Sequence, residues 1–76
     1  MEKLLEILEN IRPDVDFKHE ERLMSSGTLD SFDVVSIISE LNDEYDINIR
    51  VHELKPENFD SLESIMKMVE RLQSNG

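Results

Sequence analysis

Ser31 is the residue of this sequence best placed to do chemistry. It lies in the segment Leu29-Asp30-Ser31-Phe32-Asp33, where a long loop meets a predicted helix. A serine in the first turn of a helix presents its hydroxyl to solvent, and the free N–H groups and partial positive charge there favour an attached phosphate. The elements on either side of this serine decide how its hydroxyl is presented.

Three long amphipathic helices are predicted around this segment. Apolar residues recur at three- and four-residue spacing over Glu2–Ile11, Ser31–Tyr45 and Ser61–Gln73, which predicts one buried stripe on each helix. Pro13 ends the first helix, because the residue before a proline is pushed out of the helical region. The sequence therefore predicts an all-α fold, built as a small helical bundle in a single domain of residues 1–76.

Aspartates mark the starts of the second and third of these helices. Asp30 is the expected N-cap of the second helix, with Asp33 at position N3, where the helix dipole favours a negative charge. Asp60, followed three residues later by Glu63, resembles a capping box at the start of the last helix. Aspartates are thus candidates to cap both helix starts.

Two connections have no sustained helical pattern. Residues 13–30 form a long loop, and its apolar side chains are spaced to anchor it to a core: Val15, Phe17, Leu23, Met24 and Leu29. Residues 47–51 alternate like a strand, but an isolated strand cannot satisfy its backbone. We therefore expect an extended connection and then a short helical turn, around Val51–Leu54 or just after Pro56.

Composition narrows the classes of function. Eight basic residues against 18 acidic ones give a net charge of −10, which disfavours nucleic acid and anionic membrane surfaces and favours proteins with basic patches. The absence of cysteine rules out disulfides, cysteine-ligated zinc and thiol nucleophiles. No apolar run is long enough to span a membrane and no signal peptide is visible, so a cytoplasmic monomer is expected.

The second helix carries acids and no basic residue. Between positions 30 and 46 the acids are Asp30, Asp33, Glu40, Asp43, Glu44 and Asp46, which make a docking surface of one charge beside Ser31. The run from Gly27 to Phe32, followed by this acidic helix, resembles the acyl carrier proteins, and the similarity covers essentially the whole chain. The resemblance implies a four-helix bundle in which three long helices are joined by a short third helix, within residues 51–59.

The resemblance also implies roles for individual residues. The family's motif is Asp-Ser-Leu, and its serine receives 4'-phosphopantetheine from coenzyme A through a phosphopantetheinyl transferase and magnesium. Ser31 matches that serine, Asp30 matches the aspartate that helps position magnesium and the transferase, and Phe32 replaces the usual leucine. The acids that match the family's docking helix are Asp33, Glu40, Asp43 and Glu44. Expected partners are therefore the transferase, an acyl- or aminoacyl-activating ligase, and downstream transferases or synthases with basic faces.

The sequence does not identify the cargo of the carrier. The segment Leu29–Phe32 is similar to the attachment site of D-alanyl carrier proteins, which load D-alanine for teichoic acids, and stand-alone carriers of polyketide or peptide synthetases are further alternatives. Uncharged residues stand where many fatty-acid carriers hold acids or bulky apolar groups, which weakens an assignment to fatty acid biosynthesis; they are Ser36, Ser39 and Asn42.

The sequence contains a second Asp-Ser pair and two histidines, which bear on other interpretations of the chain. Asp60-Ser61-Leu62 is a literal Asp-Ser-Leu, but Ser61 begins a helix of mixed charge and is better explained as a helix cap. An unmodified acidic adaptor is the main alternative outside the family. A serine hydrolase needs a positioned base, and neither His19 nor His52 has an evident route to Ser31. The chain is therefore expected not to be an enzyme and to hold no metal site.

Overall fold

A computed structural model describes residues 2–75 and has the predicted all-α architecture. Four helices and one 3₁₀ turn follow one another, and no strand occurs among residues 2–75. In chain order they are α1 (Glu2–Ile11), α2 (Ser31–Tyr45), a 3₁₀ turn (Val51–Glu53), α3 (Pro56–Phe59) and α4 (Leu62–Asn75). The predicted bounds of α1 and α2 are confirmed, and so is the short third helix.

The helices enclose one apolar core. Ion pairs join the end of α1 to the start of α2 through Arg12 and Asp33, and the start of α1 to the end of α2 through Lys3 and Glu44, so these two helices run antiparallel. The buried apolar side chains come from every helix and from the connections: Leu4, Leu8, Val15, Phe17, Leu23, Leu29, Val34, Ile37, Leu41, Ile49, Phe59, Ile65, Met68 and Val69.

The long loop between α1 and α2 is packed down by its own side chains, as predicted. Of the five expected anchors, Met24 is half-buried and the others belong to the core. The backbone is fastened as well: Leu23 donates its N–H to the carbonyl of Asp60 at 2.8 Å, and Leu29 donates to the carbonyl of Leu23 at 2.9 Å. Gly27 adopts the left-handed conformation that the tight turn ahead of α2 requires (φ 82°).

The connection from α2 to α4 has no regular secondary structure over residues 47–50, where Arg50 is extended, and it is then helical at both predicted positions, the 3₁₀ turn and α3. Its main polar anchor is Glu53, which is only 5% exposed. Both oxygens of this carboxylate accept hydrogen bonds from Arg71 of α4, at 2.7 and 2.9 Å. These bonds lower the pKa of Glu53 to about 2, although burial acts in the opposite direction. The pair fastens the connection to α4.

The predicted capping box of α4 is wrong. Asp60 does not cap the helix, because its carboxylate accepts hydrogen bonds from Met24 N–H (3.0 Å), Ser25 N–H (2.9 Å) and the Ser25 hydroxyl (2.7 Å) in the long loop. Ser61 takes the capping position, with its Oγ accepting from Ser64 N–H at 3.1 Å, which confirms its interpretation as a helix cap. The helix consequently begins at Leu62, one residue later than predicted.

Candidate functional site

The start of α2 is held by a reciprocal pair of hydrogen bonds. Asp30 is extended (φ −100°, ψ −177°), and its Oδ1 accepts from Asp33 N–H at 2.9 Å. Asp33 Oδ2 in turn accepts from Asp30 N–H at 3.3 Å, which completes a capping box. The prediction of Asp30 as N-cap and Asp33 at N3 is confirmed. The box fixes the backbone on both sides of Ser31.

Ser31 is the first residue of α2 and is exposed. Because Asp30 does the capping, the Ser31 hydroxyl is left without a hydrogen bond among residues 2–75. It lies at the positive end of a 15-residue helix, where a phosphate ester is electrostatically favoured. The geometry therefore offers a hydroxyl that is open to an incoming enzyme.

Ser61 is in the opposite situation. Its hydroxyl is half-buried, accepts from Ser64 N–H and donates to Ser64 Oγ at 3.0 Å. A groove of about 330 Å³ lies beside it, and His19 is among the residues that line this groove. His19 is paired with Asp16 at 2.9 Å, and in the described part of the chain no hydrogen bond joins a histidine to either serine. The arrangement lacks the serine–base contact that a hydrolase requires.

Two apolar side chains lie exposed next to Ser31 on α2. Phe32 is 83% exposed and Val35, one turn further along, is 62% exposed. Residues three apart on a helix share a face. A large exposed apolar side chain beside an open hydroxyl suits a surface that another protein covers.

The four predicted docking acids divide into two kinds. Glu40 and Asp43 are exposed and form no ion pair among residues 2–75. Asp33 is paired with Arg12, and Glu44 is paired with Lys3. Only the first two acids present an uncompensated charge at the surface.

Arg12 is the residue at this site that sequence reasoning missed. Its guanidinium contacts Asp33, donates to the Thr28 carbonyl at 3.3 Å, and makes two bonds of 3.0 Å with Asp14. The hydrogen bond to Asp14, and to a smaller extent the one to Asp33, raises the pKa of Arg12 above its usual value. The one signal in the sequence was a basic residue just before Pro13, and its partner in α2 lies 21 residues away.

Within residues 2–75, no three side chains of histidine, aspartate or glutamate are grouped so that they could hold a metal ion. The same residues include no helix whose length and apolar character would suffice to cross a membrane.

The fold and this site together define a small helical bundle with an exposed serine at the start of an acidic helix. Residues 2–72 match the family model described as the phosphopantetheine attachment site, so the chain belongs to the phosphopantetheine-binding family. No curated protein matches the chain. The domains of this family hold 4'-phosphopantetheine covalently and act as carriers without catalysing a reaction, and this chain is accordingly a carrier and not an enzyme.

Proposed function

We propose that Ser31 is the attachment serine and that the domain, comprising residues 1–76, is an acyl carrier protein that delivers an acyl or aminoacyl group to partner enzymes. The observation that supports this most directly is the difference between the two hydroxyls. The Ser31 hydroxyl is exposed and has no hydrogen bond among the described residues, whereas the Ser61 hydroxyl caps α4.

The residues around Ser31 fit a phosphopantetheine group. A phosphodiester needs an accessible hydroxyl and an environment that accepts negative charge, and the start of α2 supplies both. The attached group supplies a terminal thiol, on which cargo is held as a thioester. The chain has no cysteine of its own, so no protein thiol competes for the cargo.

The neighbours of Ser31 contribute to recognition. Asp30 uses Oδ1 to cap α2, and its Oδ2 accepts no hydrogen bond within residues 2–75, which leaves that oxygen for the transferase. Phe32 offers an apolar contact beside the reacting hydroxyl. Glu40 and Asp43 form the charged part of the docking surface and attract basic faces of the transferase, of an activating ligase and of downstream enzymes.

The D-alanyl carrier is the second candidate, and the residue that favours it is Phe32. The segment Leu29–Phe32 is similar to the attachment site of those carriers, and the Phe32 side chain, at 83% exposed, is accessible to a partner. A stand-alone carrier for a polyketide or peptide synthetase fits the same fold and site. All these candidates share the arm on Ser31 and differ in the enzyme that loads it.

Intact mass spectrometry tests the proposal. The wild type and the variants Ser31→Ala and Ser61→Ala are each incubated with coenzyme A, magnesium and a promiscuous phosphopantetheinyl transferase. We expect the mass of one arm to be gained by the wild type and by Ser61→Ala, and not by Ser31→Ala. A gain that is lost only in Ser61→Ala would assign the arm to the other serine. No gain in the folded wild type would favour the unmodified adaptor, or a carrier that needs its own dedicated transferase.

A further inference from the structure

We propose that Arg12 is a positioning residue for the attachment serine: it fixes the start of α2 so that the Ser31 hydroxyl meets the transferase in one orientation. This inference rests on the proposed attachment of the arm to Ser31. Arg12 does not reach the reacting group itself and acts through Asp33 and the backbone of the preceding turn.

The contacts of Arg12 span the junction between three parts of the chain. One guanidinium nitrogen, Nη1, contacts both Asp33 in α2 and the carbonyl of Thr28 in the turn before the helix. The other nitrogens, Nε and Nη2, are held by Asp14 just after α1, at 3.0 Å each. A planar guanidinium held on both sides is a rigid link, which an ammonium group cannot reproduce.

Burial sets this pair apart from the ordinary surface pairs of the molecule. The side chain of Asp33 is 15% exposed and that of Arg12 is 30% exposed. The pair between Glu63 and Lys67 on α4 is 73% exposed on both sides, and such pairs contribute little. A charge-assisted contact in a partly dry site is stronger and holds its geometry better.

The link leads directly to the residues that flank Ser31. Asp33 Oδ2 receives Arg12 and also the N–H of Asp30, while Asp30 Oδ1 receives the N–H of Asp33. Ser31 lies between these two aspartates, so a displacement of Asp33 moves the backbone that carries the hydroxyl. Group transfer is sensitive to such displacements, because a misplacement of about 1 Å can reduce a rate by ~100-fold.

The test measures phosphopantetheine transfer with the carrier as the varied substrate. The variants are Arg12→Gln, Arg12→Lys, Asp33→Asn and the double variant Arg12→Gln/Asp33→Asn, with Ser31→Ala as the negative control. Arg22→Gln is the matched control, because it removes the same charge from an exposed arginine that forms no ion pair among residues 2–75. All rates are measured well below the melting temperature of every variant, so that the populations compared are folded.

We expect Arg12→Gln to lower kcat by about 5- to 20-fold with KM changed by less than about twofold, as loss of orientation requires. Arg12→Lys should recover part of the rate, and the double variant should be no slower than either single variant, because both break one link. Arg22→Gln should behave like the wild type.

Other results would overturn the inference. If Arg12→Gln keeps the wild-type kcat while Ser31→Ala takes up no arm, the positioning role is wrong and the proposed function stands. An effect confined to KM and abolished by salt would mean that Arg12 acts only by neutralising Asp33, which also excludes positioning. Full modification of Ser31→Ala would reject the attachment site, and the role of Arg12 would be rejected with it.

Discussion

The two Asp-Ser pairs of this chain have the same sequence and opposite uses. At the start of α2 the aspartate caps the helix and the serine is left open, whereas at the start of α4 the serine caps the helix and the aspartate is drawn into the long loop. The helix begins at the serine in the first pair and one residue after it in the second. A shift of one residue in the start of a helix therefore decides whether the serine hydroxyl is open to solvent or forms the N-cap hydrogen bond.

The cause of this shift lies outside both pairs. The Asp60 carboxylate accepts hydrogen bonds from three donors of Met24 and Ser25. Because these bonds hold it against the long loop, it does not accept from the first N–H groups of α4. Asp30 has no such competitor among the described residues and accepts from its own helix. The tripeptide motif alone is thus a poor guide to which serine hydroxyl is open, and the tertiary partner of the aspartate is the better one.

The largest effect expected from this comparison concerns the two aspartates. Asp60→Ala leaves two backbone N–H groups and the Ser25 hydroxyl without their acceptor, and it should lower the free energy of unfolding by about 2–3 kcal/mol. Asp30→Ala removes one cap and should cost about 1 kcal/mol. Urea denaturation of both variants measures the difference. Equal losses of unfolding free energy would contradict the larger structural role assigned to Asp60.

A second, smaller effect should appear in acid. Partial burial would raise the pKa of Asp60, but hydrogen bonds from Ser25 and Met24 and the charge of Arg22 outweigh it and hold the pKa below its usual value. A lowered pKa stabilises the fold at every pH above the unfolded value of about 3.9, and this contribution is lost as the pH falls through the folded pKa.

Asp60→Asn should therefore be less stable than the wild type at pH 6, and the gap should narrow as the pH is lowered toward 2. Ser61→Ala is the control, because it weakens the same helix start without removing a titrating group and should stay a constant distance below the wild type. Denaturant midpoints along a pH series report both curves. A gap between wild type and Asp60→Asn that is independent of pH would refute the assignment to Asp60.

The smallest expected effect is a difference between an acid of α2, which follows Ser31, and an acid of α4, which follows Ser61. Asp43→Asn removes an exposed charge of α2 that has no ion-pair partner within residues 2–75, and it should raise the KM of the phosphopantetheinyl transferase for the carrier by about two- to threefold at low salt. Glu63→Gln removes the same charge from α4, where Lys67 already balances it, and should leave KM unchanged. Equal shifts in the two variants would mean that net charge alone, rather than the α2 surface, guides docking.

Local signals explain what could be predicted. Pro13 and Asp30 mark the end of α1 and the start of α2 within a few residues, so the periodic pattern needed no tertiary information there. The short α3 was expected from the family resemblance as well as from Pro56. The bond from Arg12 to Asp33 depends on the antiparallel packing of α1 and α2, and the role of Asp60 depends on a loop 35 residues earlier, so neither was readable from spacing.

The buried carboxylate of Glu53 implies an order of events when this domain opens. Arg71 and Asn58 both donate to that side chain, and Asn58 also donates to the Glu53 carbonyl, so these side-chain hydrogen bonds of the 3₁₀ turn and α3 meet at one residue. Protonation of Glu53 weakens this centre without touching the apolar contacts between α1 and α2. Near pH 2, where Glu53 becomes protonated, the segment should therefore exchange its amide hydrogens as a local unit before the α1–α2 pair opens.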